Sequence, residues 1–322
     1  MRTKRLFEQY WLTDGGLETT LIYHYHIDLP HFAAFELLNK PHYQLLLQSY
    51  YRQYLDLARK YSTGFILESA TWRANLDWGY KMGYSPSELI DVNYMSIWQL
   101  RKLQWAYKDT VQDTLISGCI GPRSDGYQVG LTMNVQEAEE YHALQVHAFK
   151  QANADLITAM TINYTEEGLG IAKAAKAWNV PVVISFTVET DGHLPSGESL
   201  KEAIYRIDTE TGAYPLYYMI NCAHPSHFYR QMEGGGSWLL RLGGVRANAS
   251  CRSHAELDEA TELDPGNHAE LAEWYGKLRQ QCPNLRAFGG CCGTDASHLA
   301  LISETLFGND RKASCSPLRL IG

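Results

Sequence analysis

The sequence predicts a single α/β domain spanning residues 1–322, built as a (β/α)8 TIM barrel, on three observations. Short apolar runs rich in β-branched residues alternate with longer amphipathic stretches. The runs are continuous, not alternating, which belongs to parallel strands buried on both faces. There are eight of them, and each spacer is long enough for a crossover helix. In order they occupy residues 11–16 (WLTDGG), 65–69 (FILES), 114–121 (TLISGCIG), 155–162 (DLITAMTI), 180–188 (VPVVISFTV), 215–221 (PLYYMIN), 237–245 (SWLLRLGGV) and 285–293 (LRAFGGCCG). No linker, low-complexity tract or charge block divides them.

Helix signals fall between the runs. After Pro41, the residues Tyr43, Leu46, Leu47, Tyr50, Tyr54, Leu57 and Ala58 recur at helical spacing, a stripe suited to packing on a barrel wall. Four capping boxes, Ser85 with Glu88, Asn134 with Glu137, Ser199 with Glu202 and Ser253 with Glu256, stand where crossovers should begin. Each satisfies two helix N–H groups that would otherwise lack partners.

A chain with 45% hydrophobic and 20% charged residues has the composition of a folded globule, which excludes intrinsic disorder. A formal net charge of −8 supplies no positive field, so nucleic acid is not an expected partner. No apolar stretch approaches the ~18 residues of a membrane span. The amino-terminal residues 1–16 lack the apolar region and small-residue cleavage site of a secretory signal. A cytoplasmic protein with no membrane partner is expected, and seven cysteines (119, 222, 251, 282, 291, 292 and 315) then read as thiols or metal ligands.

In such a barrel the chemistry sits where strands end, and four unusual segments fall there: Asp14-Gly15-Gly16, Glu68 to Asn75, Asn221-Cys222, and Gly289 to Gly293. Cys222 and the Cys291-Cys292 pair are far apart in sequence, yet only the seventh strand separates theirs, roughly two ~4.8 Å spacings. Three thiolates without a fourth protein ligand match a catalytic zinc with an open position. Gly290 and Gly293 would let consecutive cysteines turn toward one ion. Taken as residues alone, the three fit a core or redox role equally well. Cys119, Cys251, Cys282 and Cys315 read as small core hydrophobes. A rival cluster, Cys222 with His224 and His227, has ligand types too, whereas His24 and His26 read as a chance pair.

Asp-Gly-Gly near the start, Asn-Cys in the middle and Gly-Gly-Cys-Cys-Gly-Thr near the end, in that order across most of the chain, resemble the homocysteine S-methyltransferase family. The resemblance implies a barrel with zinc held by Cys222, Cys291 and Cys292, and Asn221 supporting the metal loop. It places Asp14 and Gly15 against the amino-acid end of homocysteine. Thr71-Trp72-Arg73-Ala74, similar to the family's Thr-aromatic-x-Ala segment, would line the mouth. One position departs: where the family commonly carries Glu-Thr after the fourth strand to bind the substrate ammonium, this chain has Met160-Thr161. Glu68 is the first choice to supply that carboxylate, ahead of Glu18 and Glu189.

The implied activity is zinc-dependent transfer of a methyl group from a small onium donor, S-methylmethionine ahead of betaine, to the homocysteine thiol, giving methionine. No side chain beyond the zinc ligands is assigned a catalytic role. The alternatives are a zinc- or thiol-binding barrel that uses another thiol or takes its methyl group from a separate cobalamin protein, and a metal-free barrel lyase or aldolase. No lysine at a clear strand end supports the last. The long aromatic stretch from Trp72 to Tyr84 reads either as a lid or donor pocket for a cation or as simple loop packing.

Overall fold

In the computed structural model, which describes residues 2–308, eight parallel strands hydrogen-bond in sequential order and close into a barrel through β1 and β8. The strands are β1 (Trp11–Leu12), β2 (Gly64–Glu68), β3 (Thr114–Ile120), β4 (Leu156–Ile162), β5 (Val182–Phe186), β6 (Tyr218–Asn221), β7 (Leu242–Ala247) and β8 (Ala287–Gly290). One long helix follows each: α1 (Pro41–Tyr61), α2 (Pro86–Tyr107), α3 (Val135–Gln151), α4 (Thr165–Ala177), α5 (Leu200–Thr211), α6 (Pro225–Glu233), α7 (His268–Gln281) and α8 (Ala296–Phe307). The alternation expected from the sequence is therefore the alternation observed. Cys315 lies outside the described residues. No helix among those described is long and apolar enough to cross a membrane.

All four expected capping boxes form, on α2, α3, α5 and the short helix His254–Asp258. A fifth sits on α8, where Asp295 caps and His298 takes the place usually held by Glu or Gln. The stripe on α1 faces inward as expected, with Leu47, Tyr50, Tyr54 and Ala58 buried against the barrel.

The seventh run needs correction. Residues Ser237–Arg241 form a 3-10 turn, and the strand proper starts at Leu242 and continues to Ala247. Gly235 and Gly236 take positive φ (67° and 119°), which folds the chain back so that the Trp238 indole donates to Gly235 O. Asp208 then holds Arg241 through two guanidinium nitrogens, at 2.7 and 2.9 Å. The shift matters because it puts Arg246 inside the strand, opposite Gly289.

The barrel interior divides into two zones. Its lower part is an apolar plug that includes Trp11, Ile66, Leu115, Leu156, Val183, Met219 and Ala287. Above the plug, the same strands turn polar side chains inward. Thr158 Oγ1 donates to Glu68 Oε1 (3.0 Å) and lies 2.7 Å from Ser117 Oγ, while Ser185 Oγ donates to Asn221 Oδ1 (2.6 Å). A parallel barrel puts its strand ends on one side, so this polar zone is the floor of the site.

Closure at β1 and β8 leaves no room for a side chain at Gly289 of the last strand. A Cβ at Gly289 would lie 1.9 Å from Thr13 Oγ1 and 2.9 Å from Asp14 O. Gly289→Ala is therefore expected to lose about 2–3 kcal/mol or more of unfolding free energy in urea titrations. Ordinary stability in that variant would show that the seam is looser than its contacts imply.

Candidate active site

One cavity of about 160 Å³ opens at the C-terminal ends of the strands, and it collects residues from most of the loops above them. Its lining includes Asp14, Gly15 and Glu18 after β1, Glu68, Trp72 and Arg73 at β2, Gly126 and Tyr127 after β3, and Met160 and Thr161 on β4. Asn221, Cys222, Arg246, Cys291 and Cys292 line it too, as do Phe32, Asp125 and Asp258.

The three cysteines converge. Cys222 Sγ lies 2.7 Å from Cys291 Sγ and 3.5 Å from Cys292 Sγ, and all three sulfurs fall within 4.8 Å of one another. A tetrahedral ion with ~2.3 Å bonds to sulfur spaces its ligands by about 3.8 Å; the Cys222–Cys292 separation is close to that and the Cys222–Cys291 separation is shorter, while three thiols are a soft donor set of the kind that holds a metal such as zinc. Among the described residues this is the cluster of three or more Cys, His, Asp or Glu side chains able to hold a metal. The rival histidines are engaged elsewhere. His224 caps α6, burial pushes its pKa down to about 4, and His227 Nε2 sits 2.9 Å from Cys251 O. Cys251 is exposed, which corrects the expectation of a core role, while Cys119 and Cys282 are buried as expected.

The backbone that delivers these sulfurs is unusual and heavily pinned. Cys222 has φ 57°, a left-handed conformation that a non-glycine residue keeps only when its surroundings over-determine it. Its N–H donates to Arg246 O (3.1 Å), and its carbonyl accepts from Asn248 Nδ2 (3.0 Å) with His254 Nε2 at 2.8 Å. On the other side Gly293 takes φ 78°, as the sequence implied, so the chain turns just after the cysteine pair. Gly290 acts differently. Its φ is not positive; instead, a Cβ there would meet Thr294 Oγ1 at 2.0 Å, the same hydroxyl that donates to Cys291 O.

Asn221 joins the Cys222 loop to β4. Its Oδ1 accepts from Thr161 N–H (2.8 Å), and its Nδ2 donates to Thr161 Oγ1 (2.8 Å) and reaches Cys291 Sγ at 3.8 Å. Thr161 itself has φ 62° at a break in the β4–β5 register. Hydrogen bonds from Cys222 and Cys292, with help from the Arg246 charge and Asn221, hold the Cys291 thiol well below its ordinary pKa.

Asp14 and Gly15 are at the cavity and firmly held. The Tyr50 hydroxyl lies 3.0 Å from both Asp14 Oδ2 and Gly15 O. Arg246 Nη2 donates to Gly15 O at 3.1 Å and lies 2.8 Å from Asp14 Oδ1, so charge more than alignment binds that pair. Gly15 has no space for a side chain, since a Cβ would meet Tyr54 Oη at 2.7 Å. Thr71 is not brought to the cavity: it is fully buried and gives its hydroxyl proton to Cys119 O at 2.8 Å. Of the three alternative carboxylates, Glu68 and Glu18 line the cavity, and Glu189 sits instead 3.2 Å from His254 Nδ1.

The aromatic stretch is largely occupied by the protein itself. Arg73 is sandwiched between Trp72 (4.0 Å) and Trp78 (3.9 Å), and Lys81 lies 3.8 Å over the Trp78 ring. Only Trp72 of these aromatics reaches the cavity, and Tyr80 points to solvent. Tyr127 and Arg246 are site residues the sequence reading missed. Tyr127 Oη lies 3.3 Å from Cys222 Sγ and 3.6 Å from Cys292 Sγ, with its ring stacked on His254 at 4.0 Å. Arg246 carried one signal: an arginine at the end of an otherwise apolar strand.

A family model described as homocysteine S-methyltransferase matches residues 11–306. The chain belongs to the homocysteine S-methyltransferase family. Its activity is that of the family, methyl transfer to the thiol of homocysteine. The homocysteine methyltransferase MmuM from Escherichia coli has the same fold. Its metallated form matches at 18% identity and TM-score 0.72, covering 92% of this chain and 96% of that one. Its oxidized form matches at 20% identity and TM-score 0.71, covering 91% and 94%.

Burial has a pH signature. It pushes the Glu68 carboxyl up to about 7, against the opposing pull of Arg246. A carboxyl raised in the folded state binds its proton more tightly there than when unfolded. Its contribution to stability is thus full below pH ~4.5 and lost as pH rises through about 7. Glu68→Gln removes this loss, so in urea unfolding of metal-free protein the variant should gain up to ~3 kcal/mol on wild type between pH 4.5 and 8. An unchanged difference across that range would mean that Glu68 titrates normally.

Proposed function

We propose that this methyltransferase holds zinc on Cys222, Cys291 and Cys292 and methylates homocysteine from a small onium donor such as S-methylmethionine, forming methionine. The observation that carries the reading is the convergence of three sulfurs, with no fourth Cys, His, Asp or Glu in the cluster among the described residues, in an open cavity. Bound there, zinc would supply the Lewis acidity that turns the acceptor thiol, ordinarily protonated at pH 7, into a thiolate nucleophile.

The rest is work for the chain's own residues. Asn221 and the carbonyl contacts to Cys222 fix the sulfurs before any ligand arrives. Asp14 and Gly15 shape the end of the cavity that would take the amino-acid group, and Glu68 takes the place of the carboxylate missing at Met160. Five carboxylates line the cavity (Asp14, Glu18, Glu68, Asp125, Asp258) against two guanidiniums (Arg73, Arg246), a balance that favours a cationic donor. Trp72 and Phe32 add apolar surface at the mouth, and together they restrict water around the transfer. Methyl transfer from an onium donor releases a neutral sulfide or amine, so no general acid is needed. Thiols that must stay reduced to bind metal also favour a cytoplasmic setting.

Reduced wild-type protein should carry about one zinc per chain and form methionine from homocysteine and S-methylmethionine. Cys291→Ser should lose both, with methionine formation down at least ~100-fold. Metal analysis beside a methionine assay decides it, and full turnover in metal-free protein would rule the zinc reading out. Zinc retained without turnover would instead point to another donor.

A further inference from the structure

The floor of the cavity carries two side chains of opposite charge that are each only partly satisfied. Glu68 retains 6% of its surface and Arg246 7%, and both line the cavity beside the cysteines. Glu68 Oε1 accepts from Thr158, but Oε2 has no hydrogen-bond partner. Arg246 donates Nε to Gly290 O (3.0 Å) and Nη2 to Gly15 O, but Nη1 has none. A buried charged group left short of partners is costly, and such a gap is commonly filled by a ligand. Both residues, one on β2 and one on β7, line the same cavity.

We propose that Glu68 and Arg246 together form a receptor for the zwitterionic end of the acceptor, Glu68 Oε2 taking the ammonium and Arg246 Nη1 the carboxylate, while the acceptor thiol points to the three cysteines. The inference rests on the acceptor reading above and assigns the two charges to separate residues. It explains why a thioether is tolerated at Met160. The negative charge that would serve the ammonium has moved to β2, where Thr158 from β4 orients it. The Arg246 cation is available because Asp14 and Gly290 hold its other nitrogens, fixing the guanidinium plane before the ligand binds. Arg246 is kept protonated despite burial by Asp14 first and Glu68 next. A thiol lacking either charge would leave one of the two residues unpaired in a desolvated site.

The test uses the zinc-loaded full chain and three thiols: homocysteine, 4-mercaptobutanoate (no ammonium) and 3-aminopropane-1-thiol (no carboxylate). Calorimetric affinities are measured without donor, and KM and kcat are measured with S-methylmethionine. Wild type should bind homocysteine roughly 10- to 100-fold more tightly than either truncated thiol, the loss expected for one charge-assisted bond. Glu68→Gln should weaken homocysteine and 3-aminopropane-1-thiol by that factor and leave 4-mercaptobutanoate unchanged. Arg246→Met should do the reverse, weakening homocysteine and 4-mercaptobutanoate alone, with the effect in KM and not in kcat.

Because Arg246→Met leaves Asp14 buried without its partner, the paired variant Asp14→Asn/Arg246→Met is measured beside it; the same selectivity pattern in the folded double variant supports the receptor. Equal affinity of wild type for all three thiols, or variants that weaken all three alike, would overturn it. Binding selectivity without methionine formation would support the receptor and sink the donor reading alone.

Discussion

Arg246 is the charge on which the upper barrel depends. Asp14, Glu18 and Glu68 crowd the same desolvated cavity as the three thiols, where burial raises the pKa of each carboxyl and the Arg246 charge opposes that rise in all three. From β7, one guanidinium reaches the carboxylate of Asp14, the carbonyl of Gly15 and the carbonyl of Gly290. It therefore ties the loop after β1 to the end of β8, across the seam where the barrel closes. The cysteine pair follows Gly290 directly, so the Cys291-Cys292 loop inherits its position from this contact.

The second constraint is conformational. Two consecutive cysteines on a strand would point to opposite faces, and the chain avoids this by ending β8 at Gly290 and turning at Gly293, with Thr294 closing the turn onto Cys291 O. The opposing cysteine needs a left-handed residue after β6. Hydrogen bonds with three residues hold it there, so the strain of Cys222 is borne by the β7 backbone at Arg246, by Asn248 just after it and by His254. Asn221 and Thr161 share two further bonds that couple this loop to β4. The sulfurs are thus placed by backbone geometry and neighbouring amides, and their convergence does not require a side-chain rearrangement.

The loop after β2 shows how local composition misleads about function. Trp72, Arg73, Trp78 and Lys81 form an alternating stack of cations and rings. Each ring face covered by a protein cation is unavailable to an external one. The stack makes a rigid wall whose Trp72 edge borders the cavity, and the Trp72 indole N–H is anchored on Met160 O at 3.3 Å. Asp125 and Asp258 also line the cavity, and Asp125 lies 3.5 Å from Arg73 Nη2, so the stack is tied to the loop after β3.

The fold was legible in the sequence because its signals are local. Eight continuous apolar runs, four capping boxes and the α1 stripe each state a periodicity or a cap, and apart from the seventh run each formed its element within the expected segment. The three cysteines were legible as well, since strand order brings β6 and β8 to either side of β7 whatever the details of packing. What the sequence could not state was where β7 begins, because the turn at Gly235 and Gly236 and the Asp208–Arg241 contact are set by the neighbouring helices. That shift of a few residues moved Arg246 from a loop into the barrel. Thr71, chosen by local likeness, turned out to hold β3, while Tyr127 reached the sulfurs from a loop with no motif of its own. Which polar residues face the cavity depends on inward or outward register and on the paths of long loops, and both are decided by contacts between residues far apart in the chain.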